Sequence, residues 1–548
     1  MASSSTPITE DDVMAKRLWN KFKYERIQAL YTPFVVSLAA GTLERDDFLH
    51  CIAQDVHILR AFAQAYEKAE QCADDNDAKV EICKLWKSIP QKLKLHDFFI
   101  QTLGFDLHKE STPKAATVKY TDFLLATASG KVDGVKAPDK LATTPFEKSK
   151  LAAYIIGAMT PRMRLYAFLG KELLALPDPS KGIHPNQKWI ESFFSDTFQA
   201  EAMQTEELLE KLSVSLTGEE LDIIEKLYRQ AMKLEVEFFL AQPLVKNTIV
   251  PLCKGRNPAE PRRLLFSAFD LTCTVLDSSS ILAELAILTA SKSDQTHVRS
   301  RWEEHSKRYT EEYELCIESI LVGDKVEKFD YEGLRKAIQH ISDFEKKSDM
   351  RATGFEVLKG LSVEDIQRAG ESMVFQDGCM DFFHSFIQNE NLNTNIHVIS
   401  YCWSGDLIKS AFSSGGLDSV NVHANELMYE NSISTGEIIW KVVSPIDKVE
   451  AFSSILNDQQ NVTLYIGATV GDLLCLLQAQ IGIVIGSSSS LRRLGSHFGV
   501  SFAPLFPSVI EEQHWIFHEK SLLEDRKGRK FLYTVSSWAE IHAFLLGF

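Results

Sequence analysis

From Asp12 to about Leu244 apolar residues recur every three or four positions, as in Phe48–Ile52 through Tyr66 and again in Leu221 to Leu240. That period predicts helices almost throughout, and strand signals are scarce, so residues 1–245 read as an all-α bundle able to enclose a pocket. The rhythm breaks across 246–263, where Pro251, Gly255, Pro258 and Pro261 stand among basic residues and mark a linker. Beyond it the pattern changes. Short apolar runs at Leu264–Phe269, Ile396–Ser400, Val462–Ile466 and Ile481–Ile485 alternate with helical stretches, which predicts a doubly wound α/β domain over 264–548. The helical, charged region from about 278 to 377 interrupts that alternation and reads as a cap inserted over the strand ends. No internal repeat is evident.

Composition narrows the class. The 548 residues are 45% hydrophobic and 24% charged, ordinary for globular domains, and the length suits two large ones. A formal charge of -16 argues against a nucleic-acid footprint. The most apolar stretch, Leu473 to Ile485, is broken by Gln478, Gln480 and Gly482, so no membrane span is expected. Nine cysteines without Cys-x-x-Cys spacing fit reduced thiols better than disulfides or a zinc site. The first twelve residues are polar and acidic, unlike a secretion signal or a transit peptide. The expectation is a cytoplasmic chain, with a longer mitochondrial isoform left open.

Candidate chemistry begins at Asp270, which ends the run Leu264–Phe269 and is followed by Leu271, Thr272, Cys273 and Thr274. A carboxylate at the end of a buried parallel strand is well placed as a nucleophile toward phosphorus. Singly, such positions are weak signals: Ser400 suits a turn, Ser404 is a rival for its role, and Lys448 suits a solvated surface. The ordered set of Asp270, Ser400, Lys448 and Asp472, mostly at strand ends, is more telling, and it resembles the haloacid dehalogenase superfamily of phosphatases. The resemblance implies Asp270 as nucleophile, with Ser400 and Lys448 holding phosphate. It also implies Mg2+ held by the Asp270 carboxylate, the Thr272 carbonyl and Asp472. Two positions depart from the superfamily pattern. Thr272 stands where a second aspartate usually serves as acid and base, and Ala468 where a metal carboxylate usually stands.

The first half carries Gln54-Asp55, then Pro161-Arg162 with Tyr166, then Trp189 and Phe193, then Glu235 with Phe238. This succession resembles the TenA family of helical enzymes that hydrolyse amino-pyrimidines. The resemblance implies that Asp55 and Tyr166 bind the pyrimidine and that Glu235 shuttles protons. Arg162 stands at the position of the family's nucleophilic cysteine, and an arginine cannot act as a thiolate, so a route through acidic residues is the one implied.

A TenA-like half joined to a dehalogenase-like half resembles the plant bifunctional thiamine-salvage fusion proteins. That pairing implies a thiamine monophosphate phosphatase with an aminopyrimidine aminohydrolase, small-molecule substrates, and homo-oligomerisation through the helical half. Two alternatives stay open at this level: a thiamine-phosphate or pyrimidine binding protein with impaired catalysis, and a phosphatase of another small ester.

Overall fold

The computed structural model describes residues 13–103, 112–132, 145–176, 186–253, 263–323, 325–353, 358–389, 394–456, 462–517 and 531–547. Gly255, Pro258 and Pro261 of the expected linker, and the first twelve residues, lie outside these. The chain divides into two compact units: Met1–Leu252 with Val509–Lys520 and Ala543–Phe548, and Cys253–Ser508 with Ser521–His542. The expected single domain over 264–548 therefore gives two of its segments back to the first unit.

The first unit is built of helices, among them Arg45–Cys72, Asn76–Leu103, Ala115–Ala128, Pro145–Leu174 and Gly218–Leu240. Arg45–Cys72 buries Phe48, Ile52, Asp55, Leu59, Phe62, Tyr66 and Ala69 along one stripe, the spacing of a helix face turned to a core. Gly218–Leu240 starts at a capping box, in which Thr217 caps the first turn and its N–H donates to Glu220 Oε2 at 2.9 Å. No strand occurs in this unit among the described residues.

The second unit holds a seven-stranded parallel sheet. Its strands are β1 (Arg263–Ala268), β2 (Thr394–Ile399), β3 (Asn421–His423), β6 (Val462–Gly467), β7 (Ile481–Ile485), β8 (Ser501–Pro504) and β9 (Phe531–Val535), in the order β3-β2-β1-β6-β7-β9-β8. A separate antiparallel pair is formed by β4 (Glu426–Glu430) and β5 (Ile433–Ile439). The central strands β1, β6 and β7 are nearly continuous runs of buried apolar residues, as expected of a sheet covered on both faces. Sequence order reverses where β1 meets β6, and the crevice beyond the carboxyl ends at such a switch point is where open α/β sheets place their sites. Helices Ser278–Thr289, Gln295–Ile320, Tyr331–Thr353 and Val363–Glu371 fill the β1–β2 connection as the cap.

Among the described residues no helix is long and apolar enough to cross a membrane.

Candidate active sites

In the second unit the chain leaves β1 through a tight turn. The Phe269 carbonyl accepts the N–H groups of Thr272, Cys273 and Thr274 at 3.3, 2.8 and 3.2 Å, and Leu271 takes a left-handed φ of 57°. That conformation is costly for a side chain bearing a γ-branch and is held by the surrounding bonds. The turn presents the Asp270 carboxylate to an adjoining cavity of about 490 Å³. Asp270 Oδ1 accepts the Ser278 N–H at 2.7 Å, and Oδ2 accepts the Ser400 hydroxyl at 2.9 Å. Ser400 is thus the serine that meets the expected nucleophile, while Ser404 takes the N-cap position of Gly405–Ser414. Burial, and then the neighbouring Asp277, push the Asp270 carboxyl up to about 6.

Lys448, which lines the same cavity, forms a buried pair with Asp472, with Nζ to Oδ1 at 2.7 Å. The Lys448 ammonium also lies 4.3 Å from the centre of the Tyr401 ring. Asp472 is spent on structure. Oδ1 accepts Lys448 and the Tyr465 hydroxyl, and Oδ2 accepts the Ala468 N–H, the Thr469 N–H and the Thr469 hydroxyl at 3.1, 2.9 and 2.9 Å. Gly467 is required by this knot, since a Cβ there would stand 2.5 Å from Asp472 Cβ. All of these contacts of Asp472 are made within the protein, and the one to Nζ ties it to Lys448.

The Thr272 carbonyl accepts Trp538 Nε1–H at 3.0 Å, and the Thr272 hydroxyl is buried without a partner, so it has no access to a leaving group. Among the described residues no three His, Cys, Asp or Glu side chains converge as a metal cage. Of the groups expected to hold a metal, the Asp270 carboxylate lines the cavity, and the Thr272 carbonyl keeps a second lone pair. Such a set suits Mg2+, which commonly takes one or two carboxylates and completes its octahedron with phosphate and water.

The cavity also carries residues the sequence reading missed. Tyr309 donates to Glu345 Oε1 at 2.9 Å, and Trp403 Nε1–H donates to Asp349 Oδ1 at 3.1 Å. Burial pushes Glu345 up to about 8 and Asp349 up to about 7. The available signal was a helix face: Trp302, His305, Tyr309 and Tyr313 recur at three-to-four spacing on Gln295–Ile320, as do Ile341, Glu345 and Ser348 on Tyr331–Thr353.

In the first unit Asp55, Arg162 and Glu235 come together from three helices. The Arg162 guanidinium bonds Glu235 Oε1 and Oε2 at 2.9 and 3.1 Å through Nη1, and Asp55 Oδ1 through Nη2. His96 Nε2 reaches Asp55 Oδ2 at 2.7 Å, and the Tyr120 hydroxyl donates to Glu235 Oε1 at 2.6 Å. Tyr166 packs its ring 4.3 Å from the guanidinium. Burial alone would raise the Asp55 carboxyl, but Arg162 and His96 outweigh it and hold it below the ordinary range. At Glu235 burial prevails over Arg162 and Tyr120, and its carboxyl is raised. The same burial would depress Arg162, yet its two carboxylates hold it firmly charged. A cavity of about 180 Å³ opens beside the network, lined by Asp55, His96, Arg162 and Tyr166 among others, whereas Glu235 lies behind Arg162 and is not part of its lining. The two acids thus differ in proton affinity because burial prevails at Glu235, while Arg162 and His96 together prevail at Asp55.

Comparison with known proteins bears on both halves. The TENA/THI-4/PQQC family model matches residues 15–132. The Bifunctional TH2 protein, mitochondrial, of Arabidopsis thaliana is 56% identical over the whole of this chain and 91% of its own length. The Thiamine biosynthesis multifunctional protein ThiED of Corynebacterium efficiens is 26% identical over 39% of this chain and 26% of its own length. Among solved structures, a phospho-aspartyl intermediate analogue of phosphoserine phosphatase shares 17% identity over 43% of this chain and 91% of its own, with a TM-score of 0.29. The expectation of a cytoplasmic chain is overturned here, because the relative that matches along the entire sequence is a mitochondrial protein. The reason is physical: an organelle address is read by a receptor and takes no part in the folded units, whose composition is silent on compartment.

Proposed function

The chain belongs to the family of bifunctional TH2 proteins, and from that membership we propose that it is a two-activity hydrolase of thiamine salvage. Its second unit would dephosphorylate thiamine monophosphate and its first would hydrolyse amino-pyrimidines. The observation that carries the phosphatase reading is the Ser400 hydroxyl on the Asp270 carboxylate, at the adjoining carboxyl ends of β2 and β1 and opening into a cavity large enough for a small ligand.

In this mechanism one Asp270 oxygen attacks phosphorus, the P–O bond to the alcohol breaks, and an aspartyl phosphate forms. Water then hydrolyses that acyl phosphate and frees the carboxylate, so one hard displacement becomes two easier ones. Ser400 moves its hydroxyl from Asp270 to a phosphoryl oxygen, and Lys448, aimed by Asp472 and Tyr401, balances the charge that builds on the phosphoryl group. Asp270 and the Thr272 carbonyl are the groups that would hold Mg2+, whose contribution is to neutralise phosphate charge.

Phosphate release from thiamine monophosphate tests this reading. We expect turnover that rises with added Mg2+, falls with a chelator, and drops by about a thousandfold or more in Asp270→Asn, which keeps the shape and loses the nucleophile. Saturable binding with no phosphate release would overturn it.

For the first unit the proposal places the pyrimidine in the cavity against Asp55 and Tyr166, with water rather than a thiol attacking the ring carbon, the C–N bond to the amino group breaking to release ammonia, and Glu235 as the group that shuttles protons while Arg162 stays charged. Oligomerisation through the helical unit belongs to the same proposal, as do small-molecule substrates for both units.

A further inference from the structure

The cavity above Asp270 has two chemically different parts. The phosphoryl end holds Asp270, Ser400 and Lys448. The remainder is walled by aromatic rings and carboxyl groups from the cap and from the loop after β2. Trp302 and Trp403 meet edge to face, ring centres 6.2 Å apart at 86°. Each of the two hydrogen-bonded pairs, Tyr309 with Glu345 and Trp403 with Asp349, sets an acid beside a ring. Asp277 completes the group: its charge is felt at Asp270, Glu345 and Asp349 alike.

Against these acids the wall offers little positive charge of its own. Lys448 is already committed to Asp472, and His305 has its proton affinity lowered by burial and by nearby Arg351 and Arg308. An anionic leaving group, such as one bearing a carboxylate, would be repelled here. A neutral one would gain nothing from these carboxyls, whereas a cation would favour their ionised form. A flat cation would meet π faces and carboxylates at once, the combination that recognises organic cations elsewhere in proteins.

We propose that Trp302, Tyr309, Trp403, Asp277, Glu345 and Asp349 form a subsite for a heteroaromatic or quaternary cation carried by the phosphate ester, and that this subsite chooses the substrate. The inference rests on the phosphatase reading above, and it supplies what phosphate-binding groups cannot, since those select phosphate and not the alcohol. In thiamine monophosphate the cation is the thiazolium ring. The acids act on ground-state binding and take no part in the displacement at phosphorus.

The test compares two substrates on the full chain: thiamine monophosphate, a cation, and p-nitrophenyl phosphate, whose leaving group carries none. In Glu345→Gln and in Asp349→Asn, both near-isosteric, the ratio of kcat/KM between the first and the second substrate is expected to fall about tenfold, mainly through KM. A ratio that stays put, whether both rates fall together or neither falls, overturns the subsite. The unaltered protein gives an independent reading. Thiamine is expected to inhibit p-nitrophenyl phosphate hydrolysis at least about tenfold more strongly than thiochrome, its uncharged oxidised form, and equal inhibition overturns the proposal. The two readings fail separately. Loss of the thiamine monophosphate assignment would show as p-nitrophenyl phosphate turnover without thiamine monophosphate turnover. In that case a continued preference for thiamine over thiochrome would still uphold the cation subsite.

Discussion

Arg162 shows how much one residue can rearrange. It bonds Asp55 and Glu235 together inside the helical unit, all three nearly excluded from water. Removing it would leave two buried carboxylates facing each other with only His96 and Tyr120 to satisfy them. Arg162→Ala is therefore expected to cost about 3–5 kcal/mol, read as a lowered unfolding transition in calorimetry of the full chain, while a change below about 1 kcal/mol would show that water replaces the guanidinium. At this scale the sequence was legible by residue type and order. Asp270 and Ser400 could be found because each ends an apolar run, and Asp55 and Glu235 because they sit in a recurring succession of residues. That Arg162 would bridge them was not legible, because the partners are 107 and 73 residues away and only the packing of three helices brings them together.

Among elements, the central strands were plain to read and the edge strands were not. β1, β2, β6 and β7 are strands of five or six residues, each with an apolar stretch, and the expected runs fall on them within about two residues. β3 has three residues and β8 four, too few for a period to show, and the β4–β5 pair is largely exposed, so its alternation is blurred. The cap acids were hidden for another reason. Glu345 and Asp349 lie in a strongly charged helix whose other acids and lysines face solvent, and composition cannot tell a wall from a surface. The turn after β6 allows a sharper test of how an element aims a side chain. In Gly467→Ala the added methyl would push against the Asp472 side chain, loosen its five hydrogen bonds, and misplace Lys448. We expect a stability loss of about 1–3 kcal/mol and a fall in kcat for phosphate release, measured together on the same preparation. Wild-type kcat in the variant would mean that Lys448 does not depend on this turn.

At the scale of the whole molecule, two units with separate cavities suit two chemistries that need not share a site. The first unit is nevertheless not a contiguous piece of chain. Gln513 is buried and bonds the backbone of Ile249 and Asn247 at 2.7 and 3.3 Å, His514 Nδ1 lies 3.1 Å from the Ala40 carbonyl oxygen, and the Leu252 N–H donates to the Phe544 carbonyl at 2.9 Å. A fragment ending at Leu252 is expected to melt several degrees below the corresponding transition of the full chain, because it exposes the surface that these segments cover. An unchanged melting temperature would show that the returning segments add nothing. For the history of such a gene this has a particular meaning. Two enzymes joined end to end can be parted again by a single recombination at the junction, but once the tail of the second has become part of the first, neither descendant of such a split would inherit an intact ancestor, and the joining has become hard to reverse.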